Sequence, residues 1–181
     1  MGKKKYVAYV GTYTHGTSKG IQVYDVDVEN GTLTERSEVE VSNASHLAVS
    51  KNGKYLYSIE DEGVAVFERD ENGDLSRINS VDINGMRGCY LATDVDGRYL
   101  YVAGYHDGKV TVVHTHKDGR LGSVMDGVFH KGLGSVAERN FRPHVNCVRP
   151  TPDNKYLCAV DNGIDQVKIC LLYTSDAADE L

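Results

Sequence analysis

One short segment of the chain concentrates the residue types that hydrolytic chemistry needs. His144 follows Arg139, Arg142 and Pro143 in the stretch ERNFRPH. Histidine can act as a general base because its imidazole titrates near neutral pH. Guanidinium groups suit phosphate or carboxylate, which they bind through two parallel hydrogen bonds. The segment therefore predicts a base beside an anion-binding site. A strand-capping histidine with solvated loop arginines is the alternative interpretation.

The other histidines give weaker signals. His114 and His116 form a His-Thr-His pair with the spacing of two residues on one face of a strand. A metal pair is conceivable, but no third ligand can be identified, so we interpret both as exposed strand histidines. His46, in SHLAVS, is interpreted as a packed or channel-lining residue. We predict no metal site and no cofactor.

An internal repeat organises the chain into units that can position these residues. A first element occurs three times, as NGKYLYSIE (52–60), DGRYLYVAG (96–104) and DNKYLCAVD (153–161). A second element, NGTL, NGDL and DGRL, recurs out of phase with it. Each period of roughly 40 to 46 residues holds four β-rich runs separated by Asn-Gly or Asp-Gly turns, typical of antiparallel hairpins. This pattern predicts the blades of a β-propeller, and an all-β sandwich with accidental similarity is the alternative.

The strand order within each blade follows from the turns. We name the strands A to D from the innermost to the outermost. The turns before Tyr-Leu then join strands A and B, and the NG/DG-x-Leu turns join strands C and D. The first blade begins at strand B and the fourth stops in strand C. We therefore predict an all-β fold, a partial propeller of about 3.5 four-stranded antiparallel blades in an open arc.

One face of the predicted arc carries the irregular loops. The B–C and D–A connections lie there, whereas the opposite face has uniform tight turns. Four of the seven histidines fall in these irregular loops, namely His15, His106, His130 and His144. Binding residues concentrate on variable loops that a rigid scaffold positions. We therefore expect the functional site on this face.

Composition excludes several classes of partner. The chain is 25% charged and 40% hydrophobic, which is ordinary for a globular protein. Its net charge of −6 and the lack of a basic patch argue against nucleic acid and anionic membrane surfaces. The apolar runs are too short to span a bilayer, and the start MGKKK lacks the apolar stretch of a signal peptide. We predict a cytoplasmic location and make no prediction of oligomeric state.

The last residues resemble a sequence of foreign origin. The segment CLLYTSDAADEL (170–181) contains the ten-residue string CLLYTSDAAD, which matches the translation of a transposon adapter used in sequencing libraries. Such scars are excluded from fold reasoning. We expect residues 1–169 to be the N-terminal half of a propeller and residues 170–181 not to be native. A genuine polar tail is the alternative.

Long motifs of the chain resemble the seven-bladed β-propeller lactonase family, typified by the propeller-type bacterial 6-phosphogluconolactonase. The motifs are YVGTYTHGTSKGIQVYDVD (9–27), LYSIEDEGVAVFERD (56–70), GCYLATD (88–94), AGYHDGKVTVV (103–113) and ERNFRPHVNCVRPTPDNKYLCAVDNGIDQVKI (138–169). The resemblance implies a ring of about seven blades, of which this chain would hold half. It also implies hydrolysis of 6-phosphogluconolactone to 6-phosphogluconate in the oxidative pentose phosphate pathway, with no required cofactor.

The resemblance also assigns site residues. The family's Pro-His motif falls on Pro143-His144, so we predict His144 as the catalytic residue. The upstream arginine falls on Arg139, and we predict Arg139, Arg142, Asn146 and His106 as residues that bind a phosphorylated sugar lactone. This sequence has Asn146 where the family often has a second histidine.

The sequence departs from the family's motifs at a second position, and other functions of the chain stay open. This sequence has Cys89-Tyr90 where the family often has Cys-His. A cycloisomerase-like propeller that acts on a carboxylated lactone is one alternative function. A non-catalytic binding scaffold is another. The fragment by itself is expected to be inactive.

Overall fold

The computed structural model describes residues 6–135 and 140–172, and this part of the chain is built entirely from strands and their connections. The strands are β1 (Tyr6–Gly11), β2 (Gly20–Asp27), β3 (Thr32–Glu40), β4 (Leu47–Val49), β5 (Tyr55–Ile59), β6 (Gly63–Arg69), β7 (Leu75–Asp82), β8 (Tyr90–Thr93), β9 (Tyr99–Gly104), β10 (Lys109–Thr115), β11 (Leu121–Phe129), β12 (Val145–Pro150), β13 (Tyr156–Asp161) and β14 (Gln166–Leu171). Within these ranges no helix is long and apolar enough to cross a membrane.

The strands form four antiparallel sheets, each a simple meander. The orders are β1-β2-β3, β4-β5-β6-β7, β8-β9-β10-β11 and β12-β13-β14. Within the described residues the first sheet holds strands B to D without an innermost strand A, and the fourth holds strands A to C. The predicted all-β partial propeller is therefore confirmed, with the blade boundaries that the turn motifs indicated.

Glycine and asparagine make the tight turns between strands A and B. Gly53 and Gly97 adopt φ angles of 72° and 71°, a left-handed conformation that residues with a Cβ rarely adopt. The third copy of the motif has Asn154 at this position, with a φ of 55°. Asparagine is among the few other residues that tolerate this conformation, which explains why DNK can replace NGK in the repeat.

Apolar clusters between neighbouring sheets hold the blades together. Alternate residues of β6 point to opposite faces, so Val66 packs toward the third sheet and Phe67 toward the first. Both side chains are fully buried, and such burial stabilises the fold by about 1.5–3 kcal/mol per large apolar side chain. Within the described residues the clusters join only successive sheets, and the first and fourth sheets share none. This arrangement is the predicted open arc.

The predicted boundary after Ile169 falls inside a strand. Strand β14 continues through Cys170, which pairs with Leu157 of β13, to Leu171. Residues 173–181 lie outside the described part of the chain, as does most of the predicted foreign segment. The origin of residues 170–181 stays a prediction.

Candidate active site

His144 lies immediately before β12, the innermost strand of the fourth sheet, and is 7% exposed. Its ring Nδ1 lies 2.7 Å from the carbonyl oxygen of Tyr105. A carbonyl oxygen only accepts hydrogen bonds, so Nδ1 carries the hydrogen and donates it. In the neutral imidazole the lone pair is therefore on Nε2. This is the protonation pattern that a general base needs.

Tyr105 also fixes the plane of the His144 ring. The two rings are stacked, with 4.4 Å between their centroids and 19° between their planes. Tyr105 belongs to the connection between β9 and β10, so the third blade orients a side chain of the fourth. Sequence reasoning missed this role, because a backbone carbonyl carries no signal in the sequence.

Asp161, the last residue of β13, gathers three hydrogen-bond donors around a fully buried carboxylate. Its Oδ1 accepts from the backbone N–H of His144 at 2.7 Å and of Gly163 at 3.0 Å. Its Oδ2 lies 2.7 Å from Nδ1 of His130, which donates to it. Hydrogen bonds to a carboxylate are roughly twice as strong as neutral ones. Asp161 therefore ties His144 to the adjoining turn and to the long connection that follows β11.

The internal repeat carries a signal for Asp161 that the sequence analysis did not single out. The first repeat element ends in Glu60, Gly104 and Asp161 in its three copies. The third copy thus places a carboxylate where the second has no side chain. Glu60, in the first copy, pairs with Arg77 at 2.7 Å and so does not serve a histidine.

His130 is buried beside Asp161, and only one of its ring nitrogens is satisfied. Its Nε2 is buried and has no hydrogen-bond partner among the residues that the structure describes. An unsatisfied buried polar atom costs about 1–3 kcal/mol. His130 lies in the irregular connection predicted from the sequence, and its side chain is buried.

Close backbone contacts hold the Pro143-His144 segment between two turns. A Cβ on Gly163 would overlap the carbonyl oxygen of Arg142 and lie 2.7 Å from the backbone nitrogen of His144. On the other side, a Cβ on Gly108 would lie 2.6 Å from the Cβ of Pro143. Only glycine permits these approaches, so the turns of the third and fourth blades clamp the segment.

Asn146 is the extra residue of a β-bulge next to His144. Val145 pairs with Asp161 and Cys147 with Val160, which leaves Asn146 unpaired against β13. Bulges re-aim side chains and are common beside active sites. Asn146 Oδ1 is buried and lacks a hydrogen-bond partner within the described residues, so it is an unused acceptor close to His144.

The other predicted site residues differ in how close they lie to His144 and Tyr105. His106 is exposed and stands edge-on to Tyr105, with 5.6 Å between the ring centroids. Arg142 is exposed, and its guanidinium carbon lies 5.7 Å from the centre of the Phe141 ring. Arg139 lies outside the described residues. The structure thus brings His144 and His106 around Tyr105, with Arg142 and Asn146 adjoining His144 along the chain.

Asp165 binds the two described residues that flank 136–139. It accepts hydrogen bonds from the backbone N–H of Ser135 at 2.7 Å and from Nδ2 of Asn140 at 2.7 Å. These hydrogen bonds, chiefly those from Ser135, lower the pKa of Asp165. Both flanks of residues 136–139 are therefore anchored to the turn between β13 and β14.

His46 is placed by its contacts with the third blade. His46 packs against Tyr90, with 4.3 Å between the ring centroids, and its Nδ1 accepts the backbone N–H of Leu91 at 3.2 Å. Burial lowers the pKa of His46. It is a packed histidine, one of the two placements that the sequence indicated. Among the described residues no group of three or more His, Cys, Asp or Glu side chains is arranged to hold a metal ion.

Four successive antiparallel meanders with a histidine–carboxylate cluster on the loop face define a β-propeller with a polar site. The chain belongs to the seven-bladed β-propeller lactonase family, whose model, described as "Lactonase, 7-bladed beta-propeller", matches residues 7–180.

Comparison with individual proteins agrees with this family. The 6-phosphogluconolactonase of Bacillus subtilis (strain 168) is 38% identical over 169 residues, which cover 90% of this chain and 48% of that protein. A Bacteroides fragilis protein assigned as a 6-phosphogluconolactonase superposes with a TM-score of 0.88 at 37% identity, covering 98% of this chain and 51% of that one. The periplasmic gluconolactonase of Pseudomonas aeruginosa has a TM-score of 0.85 at 31% identity, covering 92% and 50%. The chain spans about half the length of these relatives.

Proposed function

We propose that the full-length protein to which this chain belongs hydrolyses 6-phosphogluconolactone to 6-phosphogluconate. The observation that carries the proposal is the hydrogen bond from Nδ1 of His144 to the Tyr105 carbonyl, because it leaves Nε2 as the basic nitrogen. Family membership and the 6-phosphogluconolactonase from B. subtilis support a lactone substrate. The reaction belongs to the oxidative pentose phosphate pathway.

The proposed mechanism uses His144 as general base and then as general acid. Nε2 accepts a proton from water while the water oxygen attacks the lactone carbonyl carbon. The tetrahedral intermediate collapses, the bond between the carbonyl carbon and the ring oxygen breaks, and the imidazolium returns its proton to that oxygen. Asp161, which accepts the backbone N–H of His144, holds the chain that carries the imidazole in place during both proton transfers. A positioned base of this kind contributes typically 10²–10⁴-fold.

The substrate contacts are assigned by chemistry and position. Arg142, together with Arg139, would bind the phosphate as charge-assisted donors. Asn146, the bulge residue two positions after His144, would hydrogen-bond a sugar hydroxyl after its amide turns out of the buried orientation. His106 would contact the substrate at the exposed rim beside Tyr105. The partner is thus a small phosphorylated sugar lactone, and the acidic chain remains a poor match for nucleic acid or an anionic membrane.

We propose that the reaction needs no cofactor, since lactone hydrolysis consumes only water. We also propose a cytoplasmic location, where phosphorylated sugars occur. The family is not restricted to that compartment, because the P. aeruginosa relative is a periplasmic gluconolactonase. Fractionation of the source cells, with an antibody against the chain, would test the location.

We propose further that residues 1–169 are the N-terminal half of the propeller and that residues 170–181 derive from an adapter. The test is the sequence of the source DNA beyond the codon for Ile169. Continuation through further blade repeats supports the proposal. A reading frame that ends in source DNA after Leu181 contradicts it.

A substrate panel on the full-length protein tests the proposed reaction. We expect the highest kcat/KM with 6-phosphogluconolactone, a lower value with unphosphorylated gluconolactone, and the lowest with a carboxylated lactone such as muconolactone. Arg142→Gln should reduce the preference for the phosphorylated substrate, mainly by raising KM. Arg149 is an exposed arginine of β12, and Arg149→Gln should leave this preference unchanged. Turnover of the carboxylated lactone alone would contradict the proposal and favour a cycloisomerase-like enzyme.

A further inference from the structure

Two histidines outside the proposed active site bring their rings together at the outer end of β10. His114 lies within β10 and is half-buried, and His116 follows the strand and is exposed. Their ring centroids are 4.7 Å apart and their planes are at 86°. The Tyr99 ring stands edge-on to His114 with a centroid distance of 6.1 Å, which limits the rotation of that imidazole.

The nitrogens of the two rings converge on the space above Gly122. A Cβ built on Gly122 would lie 2.9 Å from Nε2 of His116 and 3.0 Å from Nδ1 of His114. The carbonyl oxygen of His114 is 3.4 Å from the same point. Because glycine has no side chain, two ring nitrogens and one carbonyl oxygen can approach its Cα this closely from the same side.

The backbone holds this arrangement without help from a ligand. The N–H of His116 donates to the carbonyl of Arg120 at 2.8 Å, and the N–H of Gly119 donates to the carbonyl of His116 at 2.9 Å. Thr115 pairs with Leu121 and Val113 with Val124, so the bulge in β11 contains Gly122. The hairpin therefore fixes the backbone of both histidines before any ion arrives.

The repeat shows that the turn does not require histidines. The segment DENGDLS (70–76) of the second blade corresponds to HKDGRLG (116–122) of the third. Asp70 stands at the position of His116, and Glu68 corresponds to His114. Both are exposed even though a complete four-stranded blade packs beside their sheet. The positions of His114 and His116 therefore correspond to positions that stay exposed to solvent when a complete blade packs beside the sheet.

We propose that His114 and His116 bind one late transition-metal ion, Ni²⁺, Cu²⁺ or Zn²⁺, above Gly122, with water in the other coordination positions. Imidazole nitrogen suits these ions and binds zinc at about 2.0–2.1 Å, and rotation of the two rings about their side-chain bonds would bring both nitrogens to one ion. Affinity should follow the usual order of these metals, with Cu²⁺ binding most tightly. The site is exchangeable, because only two side chains hold the ion.

The test is a titration of the untagged 181-residue chain with NiCl₂, followed through the imidazole signals in NMR spectra and by calorimetry. We expect one ion per chain and selective broadening of the His114 and His116 signals. His114→Gln or His116→Gln should lower the affinity at least about tenfold, since loss of even an outer-shell partner costs that much in other sites.

Two further variants separate a built site from unspecific binding. Gly122→Ala keeps both ligands but places a methyl group among the ring nitrogens, so it should also lower the affinity. His15→Gln removes an exposed histidine elsewhere and should leave the affinity unchanged. The proposal is overturned if the wild-type chain binds no Ni²⁺, if His15→Gln weakens binding as much as His116→Gln, or if Gly122→Ala binds as tightly as the wild type.

Discussion

The carboxylate of Asp161 contacts His144 through the backbone N–H of that residue, at 2.7 Å, and not through its ring. In a Ser-His-Asp triad the carboxylate holds the imidazole nitrogen directly. Here the carbonyl of Tyr105 accepts the hydrogen bond from Nδ1 of His144, and the carboxylate of Asp161 binds the backbone of His144. Orientation of the ring and position of the backbone are therefore controlled by two different blades.

Replacing Asp161 by asparagine should destabilise the chain. The three donors around Asp161 all bind a carboxylate, and an asparagine amide carries no negative charge. Its NH₂ group would also point at one of these donors and could not accept a hydrogen bond from it. Each donor left unsatisfied costs about 1–3 kcal/mol. The measurement is the urea midpoint of Asp161→Asn against that of Glu71→Gln, an exposed turn residue whose substitution should stay within about 0.5 kcal/mol. Equal midpoints for the two variants would show that the carboxylate does not support this segment.

Gly163→Ala should displace the Pro143-His144 segment. The added Cβ would overlap the carbonyl of Arg142, and overpacking of this kind costs about 1–3 kcal/mol. We expect a lower urea midpoint of the chain and a lower kcat of the full-length protein. Gly16→Ala is the matched control, since a Cβ there meets nothing within 4 Å. If Gly163→Ala matches this control in both measurements, the clamp is not needed.

Cys89 should react slowly with alkylating agents. Burial raises the pKa of its thiol to about 11, and the thiolate is the reactive form. Little thiolate exists at pH 8, and more forms only as the pH approaches 11. Peptide mass spectrometry after brief iodoacetamide treatment should show labelling at least about tenfold slower than in an unstructured peptide carrying the same sequence. Equal rates would mean that the thiol is not buried in solution.

Acid should weaken the anchor that Asp165 provides. Its pKa is lowered in the folded state, so its contribution to stability is present above the unfolded pKa and is lost as pH falls through the folded value. The urea midpoints of the wild type and Asp165→Asn should therefore differ at pH 7 and converge near pH 2. A difference that persists unchanged in acid would assign the effect to something other than the carboxylate.

The blades were predictable from sequence because their signals are local. A turn such as NGKY determines its own φ angles, and alternation within a strand determines which residues are buried. The placement of His15, His106, His130 and His144 in the irregular connections followed from the same reasoning, and the structure agrees.

The support around His144 was not predictable in the same way. The bond to the Tyr105 carbonyl depends on how closely two loops of different blades approach, and residues 39 apart in sequence give no local sign of it. The bulge at Asn146 depends on the register between β12 and β13, which no single strand encodes. Among the residues that support His144, only Asp161 is marked in the sequence, because it is the carboxylate that ends the third copy of the repeat element.

The most direct test of the account is kcat/KM of the full-length protein for 6-phosphogluconolactone, with spontaneous hydrolysis subtracted. We compare the wild type with His144→Gln, which keeps a polar side chain of similar reach, and with His15→Gln, an exposed histidine on the same face. The account predicts a decrease of about 10²–10⁴-fold for His144→Gln and little change for His15→Gln. A folded His144→Gln protein that keeps the full rate would contradict the role of His144 as the base.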